Sequence, residues 1–297
     1  MVVLITGANG QLGQAIQSIS GNYPEIDFVF CDSSKLDISN LKNVEQIFAQ
    51  YKPNYCINAA AYTAVDKAES EPEKAHSINV IGAKNLAEVC KKSGVVLLHI
   101  STDFVFDGNR SVTLSAVEVP YSEEDIPNPT GVYGQTKLDG EKAIQDTFDN
   151  YYIIRTSWVY SQFANNFMKT MLRLASERES LSVVNDQIGT PTNAVDLAEV
   201  LVKIICHTEL AGAFGIYNFS NEGKCSWYDF AKKIFEINNI KIDLKPIPTS
   251  SFPTPAKRPS YSVLDKSKIK NTFGIAIMNW ETRLKTIDFS VITEKKP

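Results

Sequence analysis

The sequence predicts an α/β protein built on a doubly wound parallel sheet, with a smaller lobe toward the C-terminus. Three observations predict it. Short β-branched runs alternate with longer amphipathic stretches through the first half of the chain. Those runs are apolar at successive positions, as strands covered on both faces must be, and helices between parallel strands supply that cover. At 297 residues the chain is also long for one compact core and suits a large domain plus a smaller one.

The elements follow in order. VVLITG (2–7) reads as a strand, QLGQAIQSI (11–19) as a helix and FVFCD (28–32) as a strand. LKNVEQIFAQY (41–51) is helical by its apolar spacing, and YCINAAA (55–61) is again a strand. The long stretch 71–94 reads as one helix ending at a glycine stop signal, Gly94. VVLLHIS (95–101) is a near-continuous apolar strand, the segment at Tyr133 opens a helix, and YYIIRTSWVY (151–160) is a further strand. Residues 165–179 and 194–207 are amphipathic helices, and GIYNFSN (215–221) is a strand. SWYDFAKKIFEI and the proline-rich IPTSSFPTPAKRP (247–259) follow, and only the closing ITEKKP looks disordered.

Composition excludes several functions. A net charge of −4 and a pI near 5.5 leave no basic footprint for nucleic acid or an anionic membrane. No apolar run approaches the roughly 20 residues that span a bilayer. MVVLITG lacks a basic start and a cleavage site, so a cytoplasmic chain is expected. Cys31, Cys56, Cys90, Cys206 and Cys225 are odd in number without CxxC spacing, which suits reduced, buried thiols. His76, His99 and His207 are scattered, and no metal site is expected.

The first strand runs into GANGQLG, which spaces Gly7, Gly10 and Gly13 as GxxGxxG. Glycine allows a tight turn, close approach of backbone to a pyrophosphate and close packing of helix on strand. The helix that follows offers unpaired N–H groups and its positive dipole end to phosphate. Three glycines alone also fit a plain strand–helix turn. Here the loop lies at the first such junction of a βαβ unit, and Asp32 closes the second strand where an acid meets an adenosine ribose. A Rossmann-type dinucleotide site is expected, with NADPH or NADH as the cofactor. Asp32 would repel a 2′-phosphate, whereas Ser33, Ser34 and Lys35 could receive one, so the choice stays open. On this reading residues 1–180 form the dinucleotide-binding domain, with 194–220 returning to it. Residues 221–297, with 181–193, form the substrate-binding lobe.

Tyr133 and Lys137 stand four apart in NPTGVYGQTKLDGEKAIQ and would share a helix face. With 12 Tyr and 24 Lys, chance predicts about one such pair, and Tyr228 with Lys232 is a second. Context separates them. Tyr228 sits in the apolar stripe of Trp227, Phe230, Ala231, Ile234 and Phe235, where core packing explains it. Tyr133 follows a strand that ends in Ser101, Thr102 and Asp103, above the same sheet edge as the glycine loop. Hydride arriving at a carbonyl carbon leaves an alkoxide that needs a proton. A tyrosine, with its pKa near 10, is a reluctant acid–base group, and a lysine ammonium beside it would lower that pKa. Lys137 could also hold ribose hydroxyls, and Thr102 could give the carbonyl oxygen a second hydrogen bond. Asp103 reads equally as a turn former or a substrate contact.

GxxGxxG, the strand-end STD and YxxxK together resemble the extended short-chain dehydrogenase/reductase superfamily. AAAYTAVDKAESEPE (59–73), STDFVFDG (101–108), NPTGVYGQTKLDGEKA (128–143), RTSWVY (155–160), VVNDQIGTPT (183–192) and TPAKRPSYSVLD (254–265) resemble, within it, the dTDP-4-dehydrorhamnose reductases. The resemblance implies NAD(P)H-dependent reduction of a C4 ketone on a dTDP-sugar. Tyr133 would be the proton donor, with Thr102 and Lys137 as its partners. By position Gly10, Gln11, Leu12, Asp32, Asp37, Ile38, Ala60, Ala61, Tyr62 and Thr63 would line the cofactor. Thr102, Asp103 and Trp158 would meet the substrate, and Arg258 its diphosphate.

Some family members join a homodimer through Mg²⁺ held by acidic residues, one of them two places after the third glycine. That position is Ala15 here, so a homodimer is expected without the metal link. Two other readings compete. One is a non-catalytic regulatory subunit, as in the similar beta subunit of methionine adenosyltransferase. The other is a sugar-nucleotide epimerase or dehydratase. The intact Thr102, Tyr133 and Lys137 set weighs against the first, and NDQIGTPT with the short C-terminal lobe weighs against the second.

Overall fold

Six strands form one parallel sheet in the computed structural model, which describes residues 1–109, 119–207 and 213–289. ITEKKP lies outside the described residues. The first five strands are β1 (Val2–Thr6), β2 (Asp27–Cys31), β3 (Tyr55–Asn58), β4 (Val96–Thr102) and β5 (Tyr151–Thr156). Past them come β6 (Val159–Tyr160), β7 (Ser180–Val184), β8 (Ile188–Gly189) and β9 (Thr192–Asn193). β10 (Gly215–Asn218) returns to the sheet, and β11 (Cys225–Ser226) and β12 (Asp243–Ile247) follow. The sheet order is β10-β5-β4-β3-β1-β2 with every pair parallel. Chain direction across the sheet reverses between β1 and β3, the place where open α/β sheets hold ligands.

The apolar runs are buried on both faces because two cores clasp the sheet. On one side α1 (Gln11–Ile19) and α8 (Ala194–Cys206) bring Ile16, Leu197 and Leu201 against Val3, Ile5 and Ile57. On the other, α2 (Leu41–Tyr51) and α5 (Gly82–Ser93) bring Phe48 and Leu86 against Leu4, Cys56 and Leu97. Ala15 is fully buried in the first core, where no metal could bridge through it. A third core, centred on Phe230, Ile234, Met168 and Trp280, lies between α7 (Phe167–Glu177), α9 (Trp227–Ile237) and the parallel β7–β12 pair.

Three differences from the sequence expectation have physical causes. The strand expected over 55–61 stops at Asn58, and Ala59–Ala61 turn along the glycine loop instead. The helix expected over 71–94 is α4 (Pro72–His76), a π-helical turn over Ser77–Ile81, then α5. That turn points Asn79 inward, where its amide accepts from the Tyr62 N–H and donates to the Tyr62 carbonyl and Thr136 Oγ1. The run 151–160 breaks at Trp158, whose φ of 47° is left-handed, so β6 leaves the sheet to pair with β9. Of the five cysteines, Cys206 is exposed and the others are buried.

Candidate active site

The glycine loop sits at the reversal between β1 and β3. Gly7 has φ 64°, and a Cβ there would lie 2.8 Å from the backbone of Ala59, so β3 and the loop approach as only glycine permits. A Cβ on Gly13 would lie 2.5 Å from the Gly7 carbonyl oxygen. Gly10 caps α1 with no side-chain hydrogen bond and no acid in the first turn, which leaves the helix N–H groups turned toward the cleft. Backbone close to the phosphate path, an uncapped helix start and no competing carboxylate are what a dinucleotide pyrophosphate needs.

A cleft of about 600 Å³ opens from this loop toward the third core. Gly10, Gln11, Leu12, Ala60, Ala61 and Thr63 line one end. Thr102, Asp103, Tyr133, Lys137, Trp158 and Arg258 line the remainder. Gly7 and Gly13 shape the loop from behind. Asp32 stands beside the loop, accepting from Asn9 Nδ2 at 3.0 Å, Ser34 Oγ at 2.6 Å and the Ser34 and Lys35 N–H groups. Those bonds hold its carboxyl below the usual range, the Ser34 hydroxyl contributing most. Three other expected cofactor residues lie off the cleft. Asp37 bonds Ser39 on the surface, Ile38 is buried against Gly82, and the Tyr62 hydroxyl donates to Glu71 at 2.9 Å.

β4 delivers Thr102 and Asp103, and α6 (Val132–Gln145) delivers Tyr133 and Lys137. The Tyr133 ring packs edge-on to Phe104, centroids 5.5 Å apart, and its hydroxyl lies beside Thr102. Thr102 Oγ1 also donates to Asp103 Oδ1 at 3.1 Å and accepts from the Phe104 N–H at 3.2 Å. Desolvation raises the Tyr133 pKa to about 12, against the pull of Thr102 and with help from Asp103. This corrects the expectation that Lys137 lowers it. The Lys137 Nζ instead donates to the Ile100 carbonyl at 2.6 Å and meets His99 Nε2 at 3.2 Å. Its own pKa falls to about 8 through desolvation, partly offset by Glu141. Asp103, also desolvated, rises to about 6.

The far wall is aromatic. Trp158 stacks face to face on Trp227, centroids 3.5 Å apart and planes 9° from parallel. Trp227 was expected only as core, because a tryptophan on an apolar helical stripe gives no sign that one face meets a cleft. Arg258 reaches the cleft from the C-terminal part but is already paired, its Nη2 and Nη1 bonding Asp66 at 2.8 and 3.0 Å. Asp66, on the short α3 (Val65–Ala68), also accepts from the Ala256 N–H and so ties this loop to the sheet edge. Sequence reasoning passed over Asp66, Asn58 and His99, since an isolated acid, amide or imidazole carries no spacing signal. Tyr228 lies on the third core and Lys232 is exposed, away from the cleft.

Comparison with known proteins decides among the readings. The family model described as RmlD substrate binding domain matches residues 1–290. A protein of Aggregatibacter actinomycetemcomitans named dTDP-4-dehydrorhamnose reductase is 43% identical over 295 residues, covering 96% of this chain and 97% of its own. The chain belongs to the dTDP-4-dehydrorhamnose reductase family. Two solved members of that family are similar throughout. The Clostridium acetobutylicum reductase has a TM-score of 0.89 at 43% identity, covering 97% of this chain and 98% of its own. The Bacillus anthracis reductase, solved in complex with NADP, has a TM-score of 0.88 at 41% identity, covering 96% and 98%. A Thermus thermophilus UDP-glucose 4-epimerase, at 18% identity and TM-score 0.82, shares the fold.

Proposed function

We propose that this chain reduces the C4 ketone of dTDP-4-dehydro-L-rhamnose to dTDP-L-rhamnose with NADPH or NADH. The observation that carries the reading is that Thr102, Tyr133 and Lys137 line one cleft together with the glycine loop. Family membership and the NADP complex of the Bacillus anthracis relative support it.

When bound, the reduced nicotinamide supplies the hydride. The chain's own residues do the rest. The loop of Gly7, Gly10 and Gly13 and the start of α1 receive the pyrophosphate, with Gln11, Leu12, Ala60, Ala61 and Thr63 beside it and Asp32 near the ribose. Thr102 hydrogen-bonds the ketone oxygen and stabilises the charge growing on it. Tyr133, with its pKa near 12, is fully protonated at neutral pH, so the acid form is always in place. It yields its proton only to a stronger base, which the C4 alkoxide is, and Lys137 would have to turn from the Ile100 carbonyl to face the phenolate. Trp158 and Trp227 wall the sugar, and Arg258 leaves Asp66 to meet the diphosphate.

We further propose that residues 1–180 with 194–220 bind the dinucleotide and 181–193 with 221–297 the sugar nucleotide, in a cytoplasmic homodimer without a metal link. No described helix is long and apolar enough to cross a membrane.

The test is loss of near-ultraviolet absorbance of NADPH or NADH with the 4-keto sugar nucleotide. A substrate-dependent fall supports a reductase, and the ratio of rates gives cofactor preference. No fall with either, while the dinucleotide still binds, overturns the proposal in favour of a regulatory subunit. Light scattering reads the assembly.

A further inference from the structure

Lys137 is the inner end of a polar chain that crosses three strands. Thr6, Asn58 and His99 are paired in register across β1, β3 and β4, and all three are buried. Thr6 Oγ1 donates to Asn58 Oδ1 at 2.7 Å, and the Ala60 N–H also reaches that oxygen, at 3.2 Å. With its oxygen engaged by two donors, Asn58 turns Nδ2 to His99 Nδ1, 2.9 Å away. His99 Nε2 then meets Lys137 Nζ at 3.2 Å.

Counting protons along the chain gives it a meaning. An amide nitrogen only donates, so His99 Nδ1 accepts and the proton of a neutral imidazole sits on Nε2. That N–H points at Lys137. A neutral amine satisfies it, with a lone pair for His99 and an N–H for the Ile100 carbonyl. An ammonium does not, because donor would face donor. Asn58 holds no ionisable proton, so the chain orients and does not conduct.

We propose that His99, held by Asn58, is a positioning residue that sets the pH at which Lys137 loses its charge, by presenting a donor where an ammonium needs an acceptor. The other groups around Lys137 are few. Glu141 lies one turn along α6 and is paired with Arg155, and Asp103 acts on Tyr133 from the end of β4. Burial disfavours the ammonium and Glu141 favours it, and the donor presented by His99 acts in the same direction as burial. His99 itself is held neutral by desolvation and by the neighbouring lysine.

The experiment has two arms. Nitrogen-15 NMR of histidine-labelled protein resolves three imidazoles, and His99→Gln assigns the relevant one. Above the Lys137 titration, His99 is expected as the Nε2–H tautomer, and its shifts should inflect near pH 8 as Lys137 titrates while the ring stays neutral. A proton on Nδ1 there, or no inflection, overturns the proposal. The second arm is the pH profile of kcat. If the ammonium stabilises the phenolate left on Tyr133, activity falls as pH rises through the Lys137 pKa. His99→Gln, with a carbonyl for Lys137, and Asn58→Asp, which forces the opposite tautomer, should each move that limb up by about one to two pH units, the worth of a charge-assisted hydrogen bond. A lower kcat with the limb unmoved would show a merely structural role. Only this arm rests on the reductase reading. Absence of turnover in the unaltered protein would refute that reading and leave the tautomer measurement decisive.

Discussion

The buried ion pair between Glu141 and Arg155 offers the sharpest test of how the catalytic helix is held. Both side chains are almost wholly enclosed, 0% and 2% exposed, and the guanidinium meets the carboxylate through Nε at 3.0 Å and Nη2 at 2.7 Å. Arg155 Nη1 has no hydrogen-bond partner among the described residues, and the guanidinium lies 5.3 Å from the Phe106 ring. Replacing Glu141 by leucine keeps the volume and removes the only carboxylate bonded to this cation among the described residues. Stranding one charge of such a pair costs about 3–5 kcal/mol. For 297 residues the unfolding entropy is about 0.6 kcal/mol per degree, so the melting temperature should fall by roughly 5–8 °C. The double variant Glu141→Leu, Arg155→Met strands neither charge and should recover most of the loss. Thermal melts of the three proteins, with urea titrations for ΔG, read the cycle. A single variant that melts within a degree or two of the unaltered protein would refute the reasoning. So would a double variant as unstable as the single.

Three other outcomes are expected. Tyr133→Phe should keep dinucleotide binding and lose turnover by a factor of about 10²–10⁴, whereas Tyr228→Phe should leave turnover nearly unchanged. Gly13→Ala places a methyl 2.5 Å from the Gly7 carbonyl oxygen and should weaken NADPH binding on the order of tenfold, read by fluorescence titration. Asp103 has a folded pKa near 6 against 3.8 unfolded, so the stability it permits is complete below pH 3.8 and is lost as pH rises through 6. That difference corresponds to about 3 kcal/mol. Asp103→Asn should therefore raise the melting temperature at pH 8 and flatten its dependence on pH between 4 and 6. An unchanged pH dependence in that variant would remove Asp103 as its source.

The sheet was legible because its signals are local. The apolar runs of β1 and β4, the bounds of α1 and α2, and the stop at Gly94 all follow from residues within a turn or two. The breaks were not legible, because their causes are distant in sequence. Nothing in YYIIRTSWVY marks Trp158 as left-handed; the partners that draw β6 out of the sheet stand more than 30 residues later, at Thr192 and Asn193. The π-helical turn answers to Tyr62 and Thr136, which lie on either side of it in the chain. The β7–β12 pair escaped notice because β12 buries no residue fully and carries Pro246, so nothing in it announces a partner for β7, whose alternation runs over only five residues. At the site, Tyr133, Lys137 and Thr102 stood out by residue type and address. The direction of the Tyr133 shift did not, since it depends on burial and on Lys137 turning to Ile100 and His99.

What places Tyr133 is direction more than apolar contact. Positions 133, 137 and 141 recur at four-residue spacing along α6 and share one face. From that face Lys137 reaches the Ile100 carbonyl on β4 and Glu141 reaches Arg155 on β5, while Thr136 beside them meets Asn79. Gly134 and Gly140 let the helix press against the Phe104 and Asn79 carbonyls, where a Cβ would collide. Apolar packing tolerates a small slide or rotation of a helix; these contacts do not. Advancing α6 by one residue turns it through about 100°, which would leave both the Lys137 amine and the Glu141 carboxylate buried without partners. The chain therefore accepts charged groups in its interior at the one helix whose register decides where the Tyr133 hydroxyl meets Thr102.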